Sequence, residues 1–162
     1  MEKTVLLPLD MTDRTYRQDV TENITEGYSA DFDSDLNGSN LMPEHAAGLW
    51  TTTADLAKFG VHLQNILRGK SDLIPPAFVK EMIQPQHDDV LDMENTTCKT
   101  GLGCYLKVIH GEAYLGHSGG NYAFESRINF SVQSENGYCV LINTDNIDPL
   151  IGKIQDYFFR PA

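Results

Sequence analysis

The apolar positions change period near residue 100. Before that point the clear pattern is helical. Leu56, Phe59, Leu63, Ile66 and Leu67 recur at helical spacing and share one face. Thr52 is placed to cap this helix, with Asp55 three residues on as its reciprocal partner. Arg68 complements the C-terminal dipole and Gly69 can end the helix. Pro75-Pro76 predicts the start of a shorter helix, with Phe78, Val79, Met82 and Ile83 inward and Pro85 as its stop. Residues 1–50 carry few periodic signals. Val5-Leu6-Leu7 is halted by Pro8, and Met11, Tyr16, Val20 and Ile24 are scattered anchors in a polar, acidic stretch. This region reads as loop with at most one short strand, and Gln86 to Thr97 reads as an acidic loop.

From Thr100 onward the period is two. Leu102 to Ile109 predicts a strand, His110-Gly111 a turn, and Glu112 to Gly116 the returning strand. Phe124 to Val132 predicts another, with Phe124, Ser126, Ile128, Phe130 and Val132 on one face. Asn136-Gly137 is a hairpin signal. Tyr138 to Asn143 is a near-continuous apolar run, which predicts a strand buried on both faces. Asp148 is expected to cap a last helix with Pro149 at its first position and Leu150, Ile151, Ile154, Tyr157 and Phe158 as its apolar stripe. Helices, then consecutive antiparallel strands, then one helix predict an α+β fold.

Composition adds exclusions. At 162 residues, 41% hydrophobic and 9% aromatic, the chain is long and apolar enough for one core. No apolar run is long enough to span a membrane. The N-terminal Met1 to Pro8 is too short and too soon interrupted for a secretory signal. A formal charge of −11 with no basic stripe excludes a nucleic-acid binder and disfavours anionic membranes. Cys98, Cys104 and Cys139 form no C-x-x-C pair, and their odd number argues against a disulfide framework. Cys139, inside an apolar strand, reads as a small hydrophobe. Alternating carboxylates at Asp31, Asp33 and Asp35 invite a calcium reading. The EF-hand loop, however, needs Gly at its sixth place and Glu at its twelfth, where this chain has Leu36 and Met42. The stretch therefore reads as a solvated loop, and no metal or cofactor is expected.

The stretch with candidate chemistry is Tyr114 to Gly120. It reads as a strand end with small residues at its edge and one imidazole beside them. Gly119 and Gly120 let a ligand approach the backbone closely. His117 is a candidate acid, base or anion partner near neutral pH. The plainer reading is a strand end and turn with a surface histidine.

Several segments together resemble the serine β-lactamase-like family, which includes class C β-lactamases, D-alanyl-D-alanine carboxypeptidases, penicillin-binding proteins and esterases. Pro8-Leu9-Asp10-Met11 resembles its proline-leucine-glycine-methionine turn. The run from Ala47 through Gly48-Leu49-Trp50-Thr51-Thr52 to Asp55-Leu56-Ala57-Lys58-Phe59 is similar to its gly-leu-trp-ser-thr segment. Gly101-Leu102-Gly103-Cys104-Tyr105 resembles its gly-x-gly-aromatic strand, and His117-Ser118-Gly119 its third catalytic motif in the His-x-Gly form. Asp10 and Ala123 stand where that family commonly has glycine. The larger departure is the absence of Ser-x-x-Lys, the family's nucleophile motif, and of Tyr-x-Asn. Thr96-Thr97-Cys98-Lys99 is out of order and reads as coincidence.

The resemblance implies a β-lactamase/transpeptidase-like fold, its C-terminal portion only. The chain would then be one partial domain over 1–162, loop and helix over 1–99 and antiparallel strands plus a helix over 100–162. It implies amide or ester hydrolysis through an acyl-enzyme. The Gly120 N–H would serve as one oxyanion donor, His117 as the third-motif side chain, and Ser118, Gly119, Asn121 and Tyr122 as substrate-binding residues. Without the nucleophile, turnover by this chain alone is not expected. In the family the last strand is flanked by N-terminal strands, so the edge at Cys139 to Ile142 is expected to pair with a second copy or a separate N-terminal polypeptide. The alternative is a non-catalytic binding or oligomerisation module that keeps the fold remnant.

Overall fold

A single antiparallel sheet with helices on both faces carries the core. The computed structural model describes residues 1–16, 22–28, 47–92, 96–121 and 123–159. The six strands run in chain order across the sheet: β3 (His87–Leu91), β4 (Thr97–Thr100), β5 (Tyr105–Ile109), β6 (Glu112–Asn121), β7 (Phe124–Ser131) and β8 (Gly137–Ile142). A separate two-stranded ribbon joins β1 (Arg14–Thr15) to β2 (Trp50–Thr51). The helices are α1 (Thr53–Leu67), α2 (Pro76–Met82) and α3 (Asp148–Phe158).

The three expected helices form. However, Phe78 of α2 and Leu150, Tyr157 and Phe158 of α3, expected on the inward faces, are exposed, and Asp55 turns to Asp13 and Lys58 instead of back to Thr52. Thr52 caps α1, its side chain accepting the Asp55 N–H at 3.2 Å, and Gly69 takes φ +68° just beyond the helix end. Leu63 and Ile66 of α1 and Val79 of α2 pack on Leu115 and Leu106 on one face of the sheet. On the other face Ile147 and Ile151 pack on Ile109, Tyr114 and Tyr138. The His110-Gly111 turn holds φ +48° and +86°, the left-handed pair that a two-residue hairpin requires.

Segments far apart in sequence meet at the start of α1. The buried Asp55 carboxylate accepts the Asp13 N–H at 2.6 Å and pairs with Lys58 at 2.8 Å. The hydrogen bond from Lys58 holds this carboxyl below its usual range, against the opposing effect of burial. Lys58 also donates to the backbone carbonyl of Asp10. Leu6, Leu9 and Met11 close the junction against Leu49 and Phe59. Asp10 has φ +54° and Ala123 φ +61°. Both positions where glycine was expected therefore hold a left-handed backbone, with a larger residue accepting the strain.

Several expectations change. The Val5-Leu6-Leu7 run belongs to a π-helical turn over Glu2–Leu6, with the Leu7 N–H bonded to the Glu2 carbonyl at 2.9 Å. The acidic stretch after Gln86 is not all loop but contains β3, which pairs with β4. The charged residues suit this sheet margin, where Lys99 pairs with Asp88 at 2.8 Å. Thr97-Cys98-Lys99 accordingly lies in a strand. Strand β5 begins at Tyr105 rather than Leu102, because residues 101–103 form a tight approach. A Cβ on Gly101 would lie 2.1 Å from the Met82 carbonyl, and Gly103 has φ +69°.

The β7–β8 hairpin is real but closes through residues 132–136, with the Ser131 hydroxyl accepting the Gln133 and Ser134 N–H groups. Strand β8 is not buried on both faces. It ends the sheet, and Cys139 to Ile142 are half-buried. Burial still pushes the Cys139 thiol up to about 12, in keeping with its reading as a small hydrophobe. At α3 the cap position is Ile147, and the Asp148 carboxylate turns instead to Arg127. The candidate calcium loop around Asp31 lies outside the described residues.

Gly60 of α1 faces the buried Phe130 ring so closely that a Cβ there would lie 2.0 Å from it. Overpacking of this kind outweighs alanine's helical advantage. Gly60→Ala is expected to destabilise the protein by about 1–3 kcal/mol in denaturant unfolding. A variant as stable as the parent would contradict the α1–β7 packing.

Candidate active-site edge

Strand β6 outruns its neighbour. Strand β5 pairs with Glu112 to Gly116, whereas β7 pairs with β6 from Tyr114 to Asn121. Residues 117–121 thus leave one edge open on the β5 side in the ladder of the described strands. Which backbone groups occupy that edge follows from one side chain. The Arg127 Nη1 lies 2.9 Å from the Ser126 carbonyl and 3.3 Å from the Gly119 carbonyl. Ser126 and Gly119 are register partners. One nitrogen reaches both carbonyls only if both point into the gap between the strands. The next residue's N–H points the opposite way, so the Gly120 N–H is directed out of the open edge.

The Ala113 carbonyl, in the same alternation as Gly119, gives the same phase independently, since it accepts the Val132 N–H across the β6–β7 gap at 3.0 Å. The His117 Nδ1 lies 2.6 Å from the Ser118 carbonyl, which this alternation puts on the open edge. The ring is exposed and stacks on Tyr105, with centroids 5.3 Å apart and planes 29° apart. A carbonyl only accepts, so Nδ1 carries the hydrogen and the neutral ring leaves Nε2 as a lone-pair acceptor. The edge therefore presents an N–H donor at Gly120 and a basic nitrogen at His117.

The remaining candidates separate. A Cβ on Gly119 would lie 2.6 Å from Ser126 Oγ and would turn that hydroxyl aside. Ser118 turns its side chain to the opposite face of the sheet, where it is buried and its hydroxyl has no partner among the described residues. Asn121 donates to the Ala47 carbonyl at 3.2 Å and so ties the strand end to the segment before β2. Tyr122 lies outside the described residues. Trp50 meets Phe124 edge-on at 5.3 Å, so the Gly48-Leu49-Trp50 segment packs beside the same strand end.

Tyr105 and Arg127 are site residues that the sequence reading passed over. Arg127 alternates with Glu125, Asn129 and Ser131, a pattern that looks like a solvated strand face. In the structure Arg127, Asn129 and Ser131 are buried. An arginine in so apolar a strand needs partners if it is buried, and Asp148 was the available signal. Among the described residues no group of three or more His, Cys, Asp or Glu side chains could hold a metal.

No family model and no curated protein matches the sequence. Solved structures do. D-amino acid amidase from Ochrobactrum anthropi SV3 matches with a TM-score of 0.73 at 17% identity, over 96% of this chain and 48% of its own. D-stereospecific amidohydrolase from Streptomyces sp. gives 0.71 at 21%, over 99% and 48%. The octameric penicillin-binding protein homologue from Pyrococcus abyssi gives 0.65 at 19%, over 89% and 33%. The chain has the β-lactamase/transpeptidase-like fold, and it spans a third to a half of the length of these structures.

The neutral form of His117 is expected to be the Nδ1–H tautomer. Nitrogen-15 shifts of the ring in its neutral form check this. A dominant Nε2–H form would break the assigned contact with Ser118.

Proposed function

We propose that this chain supplies one wall of the acyl-transfer site of a serine hydrolase acting on amide or ester bonds. The observation that carries the reading is the open β6 edge, where an outward Gly120 N–H and the His117 imidazole stand together in a β-lactamase/transpeptidase-like fold. Acyl transfer needs donors where negative charge develops on the attacked carbonyl oxygen. In this reading the Gly120 N–H is one such donor. In the same reading the exposed His117 imidazole, at the same strand end, accepts or returns a proton.

No Ser-x-x-Lys and no Tyr-x-Asn occurs in this sequence. In this reading the acyl-enzyme forms on a Ser-x-x-Lys segment outside these 162 residues. Two of the similar structures are named for D-amino acid amides or D-stereospecific amide hydrolysis. These names favour amide bonds next to D-configured residues, including D-alanyl peptides, as the substrate class. The second reading, a non-catalytic binding or oligomerisation module, is favoured by the outer edge of β8. There the Tyr28 N–H bonds to the Asn143 carbonyl just past the strand end, but β8 has no strand partner outward among the described residues. Such an edge accepts a strand from a second copy or from an N-terminal polypeptide.

Intact-mass measurement after exposure to penicillin or a serine-directed fluorophosphonate separates the readings. The 162-residue chain alone should show no adduct. Combined with a Ser-x-x-Lys polypeptide of this fold, the adduct should form on that serine. An adduct on the chain alone, or none on the combination, would overturn the hydrolase reading.

A further inference from the structure

Behind the open edge, on the carbonyl side of the Gly119–Gly120 peptide, stands a full positive charge. Arg127 is 2% exposed. Its Nη1 donates to the Gly119 carbonyl at 3.3 Å and to the Ser126 carbonyl at 2.9 Å, while Nη2 reaches Asp148 at 3.0 Å and Glu125 at 3.4 Å. Glu125 in turn accepts the N–H groups of Asn146 at 2.9 Å and Ile147 at 3.3 Å, immediately before α3. The guanidinium is therefore gripped by the end of α3 and by its own strand, and it cannot swing away from the Gly119 carbonyl without breaking these contacts.

A peptide group is one conjugated plane, with its C=O and N–H on opposite sides. A cation hydrogen-bonded to the carbonyl oxygen fixes that plane. It also draws electron density from the nitrogen, which makes the N–H a stronger donor. We propose that Arg127 is a positioning residue that holds the Gly119–Gly120 peptide plane and polarises the Gly120 N–H toward an anionic oxygen at the open β6 edge. The inference rests on the hydrolase reading for the identity of that oxygen. It adds a residue that touches no substrate and acts through the peptide. A purely structural arginine would act differently, since its effect would run through Asp148 and Glu125 and leave the Gly119 carbonyl indifferent.

The experiment records the Gly119 carbonyl carbon shift and the Gly120 amide shifts of the full chain by NMR, in the parent, in Arg127→Lys and in Asp148→Asn. Lysine keeps the charge but lacks the fork that reaches both carbonyls. In Arg127→Lys the Gly119 carbonyl should move upfield and the Gly120 amide proton should follow. In Asp148→Asn the thermal midpoint should fall with both signals in place. Unmoved Gly119 and Gly120 signals in Arg127→Lys, or equal movement in Asp148→Asn, would overturn the proposal. If Arg127→Lys does not fold, the parent spectrum decides. A nuclear Overhauser contact between the Arg127 guanidinium protons and the Gly119 Hα supports the assignment, and its absence overturns it. The readout needs no substrate, so failure of the hydrolase reading in the adduct test and failure of this grip are seen separately.

Discussion

The buried guanidinium of Arg127 is the contact on which the rest of the site depends. A charged group removed from water is tolerated only with partners on every donor. Here two backbone carbonyls and two carboxylates take the Nη1 and Nη2 donors. Asp148 is half exposed, so its ion pair with Arg127 is of the surface kind, of order 1 kcal/mol or less. The deeper contacts are those with Ser126, Gly119 and Glu125, and loss of the guanidinium would take this countercharge from Glu125 and leave it the Asn146 and Ile147 N–H groups. One side chain thereby joins three parts of the chain: the strand that carries it, the entry to α3, and the glycine peptide at the open edge.

Much of this was legible in the sequence, because local rules decided it. Thr52 and Asp55 announced the start of α1, and the apolar spacing to Leu67 announced its face. The period of two announced β5 to β8. The resemblance correctly grouped segments that prove to be neighbours. Lys58 of the Asp-Leu-Ala-Lys-Phe run reaches Asp10 of the proline-leucine turn, and Tyr105 of the glycine-rich strand stacks on His117. The glycines replaced by Asp10 and Ala123 mark real left-handed turns.

The missing parts depended on long-range partners. Strand β3 is rich in charge and becomes a strand only because β4 lies beside it. The polar alternation of Glu125, Arg127, Asn129 and Ser131 has the pattern of a solvated face, yet Arg127, Asn129 and Ser131 are buried on the side where α3 packs. Asp148 looked like a cap until its partner 21 residues earlier in the chain was known. Ser118 shared a motif with His117 yet faces the other way, because adjacent residues on a strand alternate. A run of residue types thus cannot say which side chains share a face. The stretch 117–120 presents a glycine peptide and one histidine at the open edge.

Amide hydrogen exchange along β6 tests the central claim, the outward direction of the Gly120 N–H, most directly. Residues whose N–H points into the β7 ladder exchange slowly, and those on the open edge exchange fast. The account predicts slow exchange at His117 and Gly119, where the N–H faces β7, and at Gly116, where it faces β5. It predicts fast exchange at Gly120. Protection of Gly120 equal to that of Gly119 would contradict it.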